Sequence, residues 1–266
     1  ISGAASVATA GTAETGFVFA YNEAVPAEAY TLDVKADVVR VEASGLRGFN
    51  YAIQTIKQLL PVEIFGTTPA PKASWTMQCV TVSDAPRFGY RGLHLDEGRH
   101  FFGVEEVKRY LDIMEVYKLN KFHWHLTEDQ GWRIQIDKYP RLTEVGSMRK
   151  RTIIGKDPSG EYDENTPFDT IPHGGFYTKA QIREVVDYAA ERFITVIPEI
   201  EFPGHSLAAL ASYPYLGCTG EQYEVRQSWD IEDRVFCPGK ETTFEFLEDV
   251  LAEVVELFPS EYIHIG

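Results

Sequence analysis

Four short stretches hold the residues most able to do chemistry. "DEGRHFF" presents Arg99. "KFHWHLTEDQGWR" carries His123 and His125, then Glu128 and Asp129. "PEIEFPGHS" sets Glu199, Glu201 and His205 around a Pro-Gly turn, and "EYIHIG" contains His264. Carboxylates close to a histidine can form an acid–histidine pair that tunes or passes a proton to a third group. An arginine in a cleft can hold sugar hydroxyls or a carboxylate through its fork of donors. His123 and His125 stand two apart, so on a strand they share a face, as zinc ligands would. Third and fourth ligands at ordinary spacing are missing, so the favoured reading is interior, hydrogen-bonded histidines and no metal.

The elements that carry these residues repeat. From Tyr90 onward, strands alternate with helices: "RGLHLDE", "VEEVKRYLDIMEVYKLN", "KFHWHLTE", "TKAQIREVVDYAAERF", "ITVIPEIE", "TTFEFLEDVLAEVVELF" and "EYIHIG". Val104, Val107, Leu111 and Met114 form one helical stripe, and Ile182, Val185, Val186, Ala189 and Phe193 form another. Repeated strand–helix units imply a parallel sheet, either open or closed as a (β/α)8 barrel. The four strands and three intervening helices would be the barrel's first half. Within each strand one set of side chains is apolar and the alternate set is partly polar: His94 and Asp96, His123 and His125, Glu199 and Glu201, His264. With a period of two, the polar set lines the interior, and it gathers towards the C-terminal ends, where barrel enzymes keep their active sites.

Before Tyr90 the texture differs. "YTLDVKADVVRVEA" alternates as strands, "GLRGFNYAIQTIKQLLP" places Phe49, Ile53, Ile56, Leu59 and Leu60 at helical spacing ahead of Pro61, and "WTMQCVTVSD" reads as a further strand. These make a small α+β domain over 1–84. "SDAPRFGYRG" marks the boundary, and 85–266 is the barrel portion.

Bulk composition narrows the function classes. With 266 residues, 44% of them hydrophobic and 13% aromatic, the chain can bury a sizeable core. A net charge of −15 argues against nucleic acid as a partner. No apolar run reaches the roughly 18–20 residues of a membrane span, and the opening "ISGAASVATAGTAETG" lacks the basic and apolar regions of a signal peptide. Of the three cysteines, Cys218 and Cys237 share a loop region, as a disulfide or as two free thiols. Carboxylates, a histidine, an arginine and aromatics at one barrel mouth are the equipment of a glycoside hydrolase, although spacing alone leaves room for another barrel hydrolase.

The ordered motifs are more specific. "RGLHLDEGRHFF", "KLNKFHWHLTEDQGWRIQI", "GGFYTKAQIREVVDYAAER", "VIPEIEFPGHSLAAL" and "LFPSEYIHIG" resemble family 20 glycoside hydrolases, the β-N-acetylhexosaminidases, and "GFNYAIQTIKQLLP" resembles the small domain that precedes their barrel. The resemblance covers most of residues 30–266 and implies an exo-acting, retaining, substrate-assisted hydrolase with no cofactor, acting on glycans that end in N-acetylhexosamine. It implies that Arg99 and Glu201 bind substrate, that His205 and Glu128 form a relay to the acid/base, and that Asp129 and His264 support them. Glu128 and Glu201 stand where the family often has aspartate, and "DEGRH" stands for its more usual "DVSRH". In the family an Asp-Glu pair follows "H-x-G-G", and His264, Ile265 and Gly266 match the start of that motif. The chain alone is therefore expected to be inactive and to self-associate through open strand edges. A secreted or periplasmic parent is expected, with its oligomeric state open. The alternatives are a lacto-N-biosidase on the same scaffold and a non-catalytic glycan-binding module.

Overall fold

The structure is a computed structural model that describes residues 15–155, 165–229 and 232–266. The reading of the opening segment as no signal peptide lies, up to residue 14, outside the described residues. The chain falls into two compact units, one running through Arg91 with Glu115–Lys118, the other comprising Gly92–Met114 and Leu119–Gly266.

In the first unit, strands β1 (Gly16–Tyr21), β2 (Tyr30–Val34) and β3 (Val38–Ala43) precede helix α1 (Leu46–Leu59), and β4 (Val80–Asp84) follows it. They form a four-stranded sheet in the order β1-β3-β2-β4, with β1 parallel to β3 and the other pairs antiparallel. Alternation sends Tyr30, Leu32 and Val34 of β2 and Val39, Val41 and Ala43 of β3 into a core shared with Tyr51, Ala52 and Ile56 of α1. Ile53, expected on the helix's buried stripe, is instead exposed. Gly48 sets the roll of α1, because a Cβ there would lie 2.4 Å from the Ala29 carbonyl oxygen. At about 100° per residue, Ile53 lies about 140° round from Gly48. The strand expected from Trp75 begins only at Val80, since its partner β2 offers just five residues to pair with. β1 was not anticipated from the sequence.

The second unit begins with β5 (Gly92–Asp96), α2 (Val104–Val116) as far as Met114, and β6 (Lys121–His125). An excursion follows: a hairpin of β7 (Thr127–Glu128) and β8 (Gly131–Trp132), a short α3 (Arg141–Glu144), and a two-stranded pairing of β9 (Met148–Arg149) with β10 (His173–Gly174). Then come α4 (Lys179–Ala190), β11 (Thr195–Glu199), α5 (Leu207–Ser212) and α6 (Glu241–Leu257). The main sheet is parallel, in the order β11-β6-β5. Thr178 opens α4 with a capping box, its hydroxyl accepting from Gln181 N–H while the Gln181 side chain accepts from Thr178 N–H. Val107, Leu111 and Met114 of α2, Ile182, Val185 and Ala189 of α4, and Phe246, Val250 and Val254 of α6 bury their stripes in one core with Phe122, Trp124, Leu126, Val196 and Ile200. Phe193 is not on that stripe, because α4 ends at Ala190 and Phe193 turns the chain at φ 60°.

The expected fourth strand is present as an edge contact. His264 N–H donates to Pro198 O, Ile200 N–H to His264 O, and Phe202 N–H to Ile265 O, with one parallel bridge at Glu199 and His264. The pairing is short because it falls where the neighbouring strand leaves for the Pro203–Gly204 turn.

Candidate active site

The polar faces of the strands converge as their alternation requires. Register pairs Asp96 with His125 and His125 with Glu199, and the bridge sets His264 beside Glu199. Side chains two apart on β5 and β6 therefore stack into one polar layer, bounded on its other side by the apolar core.

Arg99 lies in the loop after β5. Its guanidinium reaches Asp96 at 2.5 Å and pairs with Glu128 at the end of β7. Glu128 is buried, and its Oε1 lies 3.0 Å from His205 Nδ1. Asp129 Oδ2 lies 3.5 Å from the same nitrogen, and its Oδ1 accepts from Leu207 N–H at the start of α5. Spacing alone leaves open which carboxylate partners His205, and the family resemblance implies Glu128. The structure gives it Glu128 and Asp129, while Glu199 and Glu201 serve other histidines. Burial pushes the Glu128 carboxyl up to about 7 against the pull of Arg99 and His205, and burial raises that of Asp129 as well. Two carboxylates lie within 3.5 Å of His205 Nδ1, and the ring geometry places Nε2 on the opposite side of the imidazole.

A second cluster surrounds Glu199. His123 Nε2 lies 2.5 Å from Glu199 Oε2, His264 Nδ1 lies 3.0 Å from Oε1, and His94 and His125 each approach within 3.7 Å. Burial would raise the Glu199 carboxyl, but the His123 hydrogen bond and the neighbouring imidazoles outweigh it and hold the group at about 2. His125 Nε2 continues to Glu201 Oε1 at 3.2 Å, and its Nδ1 lies 3.7 Å from Asp96, which joins the two clusters. Glu201, expected to touch substrate, is buried, and a Cβ on Gly266 would fall 1.8 Å from its carboxylate. Among the described residues, three sets have donor atoms close enough for a cation: His94–His123–Glu199, His125–Glu128–Glu201 and Glu128–Asp129–His205. In each set the carboxylates already face imidazole or guanidinium.

Asp96 and Glu199 belong to this network, Glu199 having been singled out in the sequence without a role and Asp96 only as an interior-facing residue, while the Glu97 carboxylate lies on the core side with other partners. Asp96 was visible as the residue two beyond His94 on the same strand face. Glu97 had no such signal: it is buried, accepting from Trp124 Nε1, the Tyr177 hydroxyl and Phe102 N–H.

The same order of motifs is found in known proteins. Residues 88–266 match the model for the glycosyl hydrolase family 20 catalytic domain, and residues 2–85 match that for domain 2 of the family. The chain belongs to glycosyl hydrolase family 20. It is 46% identical over 239 residues to a beta-hexosaminidase of Porphyromonas gingivalis and 44% identical over 239 residues to one of Vibrio furnissii. Each match covers 90% of this chain, but 29% and 37% of the relatives. A family 20 beta-N-acetylhexosaminidase from Streptomyces coelicolor superposes with a TM-score of 0.82 at 38% identity, covering 95% of this chain and 47% of the other. A mutant Streptomyces plicatus beta-hexosaminidase in complex with product GlcNAc gives 0.81 at 38% identity, covering 94% of this chain and 47% of that one. The chain thus spans less than half the length of these relatives. In family 20 terms, the strand–helix repeat of the second unit is part of a (β/α)8 barrel, preceded by α+β structure.

Proposed function

We propose that the polypeptide carrying this chain is an exo-acting, retaining β-N-acetylhexosaminidase that removes terminal N-acetylglucosamine or N-acetylgalactosamine from glycans. The observation that carries the reading is the contiguous Asp96–Arg99–Glu128–His205–Asp129 network at the C-terminal ends of the strands. In this reading Arg99 holds hydroxyls of the terminal sugar while Asp96 and Glu128 anchor it from behind, and Asp129 supports His205. His205, fixed through Nδ1, passes its influence through Nε2 to the acid/base carboxyl of an Asp-Glu pair that follows the His264–Gly266 segment. The substrate's own acetamido oxygen attacks the anomeric carbon, so the nucleophile arrives already positioned. The aspartate of the pair orients that group and stabilises the developing oxazolinium charge. Glu201 and His264 complete the polar wall beneath.

The same proposal divides the chain at 84/85 into part of an N-terminal α+β domain and the first half of the catalytic barrel, in line with the two family matches. Among the described residues no helix is long and apolar enough to cross a membrane. A substrate on external glycans suits a secreted or periplasmic enzyme.

The test is release of nitrophenol from nitrophenyl N-acetyl-β-glucosaminide by a polypeptide containing this chain and the acid pair. The matching glucoside, which lacks the acetamido nucleophile, should react at least about 10³-fold more slowly. Equal rates on the two substrates, or no turnover of either together with release of an intact disaccharide from a nitrophenyl disaccharide, would sink the proposal. The 266-residue chain alone should release none.

A further inference from the structure

Two buried arginines near the site have no part in the chemistry just described. Arg133 is fully buried, and among the described residues its hydrogen bonds all go to backbone carbonyls. It donates to Glu97 O at 2.9 Å, Gly98 O at 2.9 Å, Ser147 O at 2.6 Å, Gly175 O at 3.1 Å and Gln130 O at 3.4 Å. Arg149, also buried, donates to Arg99 O at 2.9 Å and Gln130 O at 3.4 Å. Room for the first guanidinium depends on Gly131, where a Cβ would fall 2.0 Å from Arg133 Nη2.

Burying a cation among neutral carbonyls is costly, and burial pulls Arg133 down to about 9 and Arg149 to about 10. Apart from Ser147 O and Gly175 O, which lie at the β9–β10 pairing, the carbonyls they engage have something in common. Glu97, Gly98 and Arg99 form the loop that carries Arg99, and Gln130 lies in the hairpin turn that carries Glu128. Both guanidinium groups therefore tie together the two backbone segments whose side chains meet as the Arg99–Glu128 pair. A planar fork with five donors can hold several carbonyls at once, which no apolar side chain could do.

We propose that Arg133 and Arg149 are positioning residues that hold Arg99 and Glu128 in register for binding the terminal sugar. This rests on the proposed hexosaminidase reading. Arg149→Lys keeps the charge but loses the fork. In the longer enzyme it should raise KM for nitrophenyl N-acetyl-β-glucosaminide about tenfold while kcat changes less than about twofold. In an Arg99→Lys background the same substitution should add little, since the residue acts through Arg99. Arg133→Met should do the same if it folds. In the chain as it stands, Arg149→Met and Arg133→Met should accelerate amide exchange across residues 97–103 before any other segment. Unchanged exchange there, or KM effects that multiply fully in the double variant, would overturn the proposal. Absence of turnover in the unsubstituted enzyme would instead remove the hexosaminidase reading, and the exchange measurement would still decide whether the clamp exists.

Discussion

Two buried glutamates in the site should answer pH in opposite directions. Glu199 is held at about 2, below its ordinary 4.5. Its stabilising contribution is complete above pH 4.5 and is lost as pH falls towards 2. Glu199→Gln should remove that acid-side slope and cost about 2–3 kcal/mol at pH 7, read from urea midpoints. Glu128, raised to about 7, does the reverse. The folded state keeps its proton where the unfolded state has lost it, so its contribution is full below pH 4.5 and declines as pH rises through about 7. Glu128→Gln resembles the protonated form and should flatten stability between pH 5 and 8; a slope matching that of the unsubstituted chain would refute the raised carboxyl. Period-two alternation placed Glu199 on the interior face from sequence, whereas Glu128 was marked only by its place just after an interior-facing strand. Spacing alone does not give the partners, and the pairing of His205 with Glu128 was implied only by the family resemblance. His205 was as close in sequence to Glu199 and Glu201 as Glu128 was distant, and only the hairpin of β7 and β8 brings Glu128 within 3.0 Å of it.

The elements were legible where one face is buried against a continuous core, as in α2, α4 and β6. They were misread where a single close approach sets the geometry, as with Gly48 in α1. That contact makes a sharp prediction. Glycine to alanine in a helix interior ordinarily gains about 1 kcal/mol. At Gly48 the added carbon would sit 2.4 Å from Ala29 O and 2.9 Å from Ala43 Cβ, so Gly48→Ala should instead lose about 2 kcal/mol, seen as a lower melting temperature by circular dichroism. A stabilised variant would mean that α1 can roll. The loop between Cys218 and Cys237 offers a second test. The flanking residues Gly217 and Phe236 form an antiparallel bridge, and the two thiols share a hydrogen bond that lowers Cys237 and raises Cys218. Mild oxidant should close a disulfide within one chain, detectable by non-reducing peptide mapping, and stabilise it by about 3 kcal/mol. Cys237→Ser should abolish the effect. Sequence alone could place the two thiols in one loop but not on opposite sides of a bridge.

At the scale of the molecule, the second unit's sheet has two open sides. Among the described residues β5 pairs only with β6, and the His264 segment pairs only with the chain around β11. The layer between them is accessible: the side chains of His94 and His264 are about half exposed, and Leu93 and Ile265 are exposed as well. An open edge beside an apolar patch is a template for another chain. Opposing this is the net charge of −15, which keeps copies apart at low ionic strength. The two effects respond differently to salt, because screening weakens the charge repulsion and leaves hydrogen-bonded edges and apolar contact intact. The 266-residue chain should therefore be smallest in dilute buffer and associate progressively as salt rises towards about 0.5 M, where the Debye length is only a few ångströms. Light scattering coupled to size exclusion, run across protein and salt concentration, reads this directly. A polypeptide that supplies further strands to both edges should stay monodisperse over the same range. If the shorter chain remained monomeric at high salt and unfolded cooperatively there, the exposed edges would not be sticky, and the polar layer would have to be shielded by the chain's own loops.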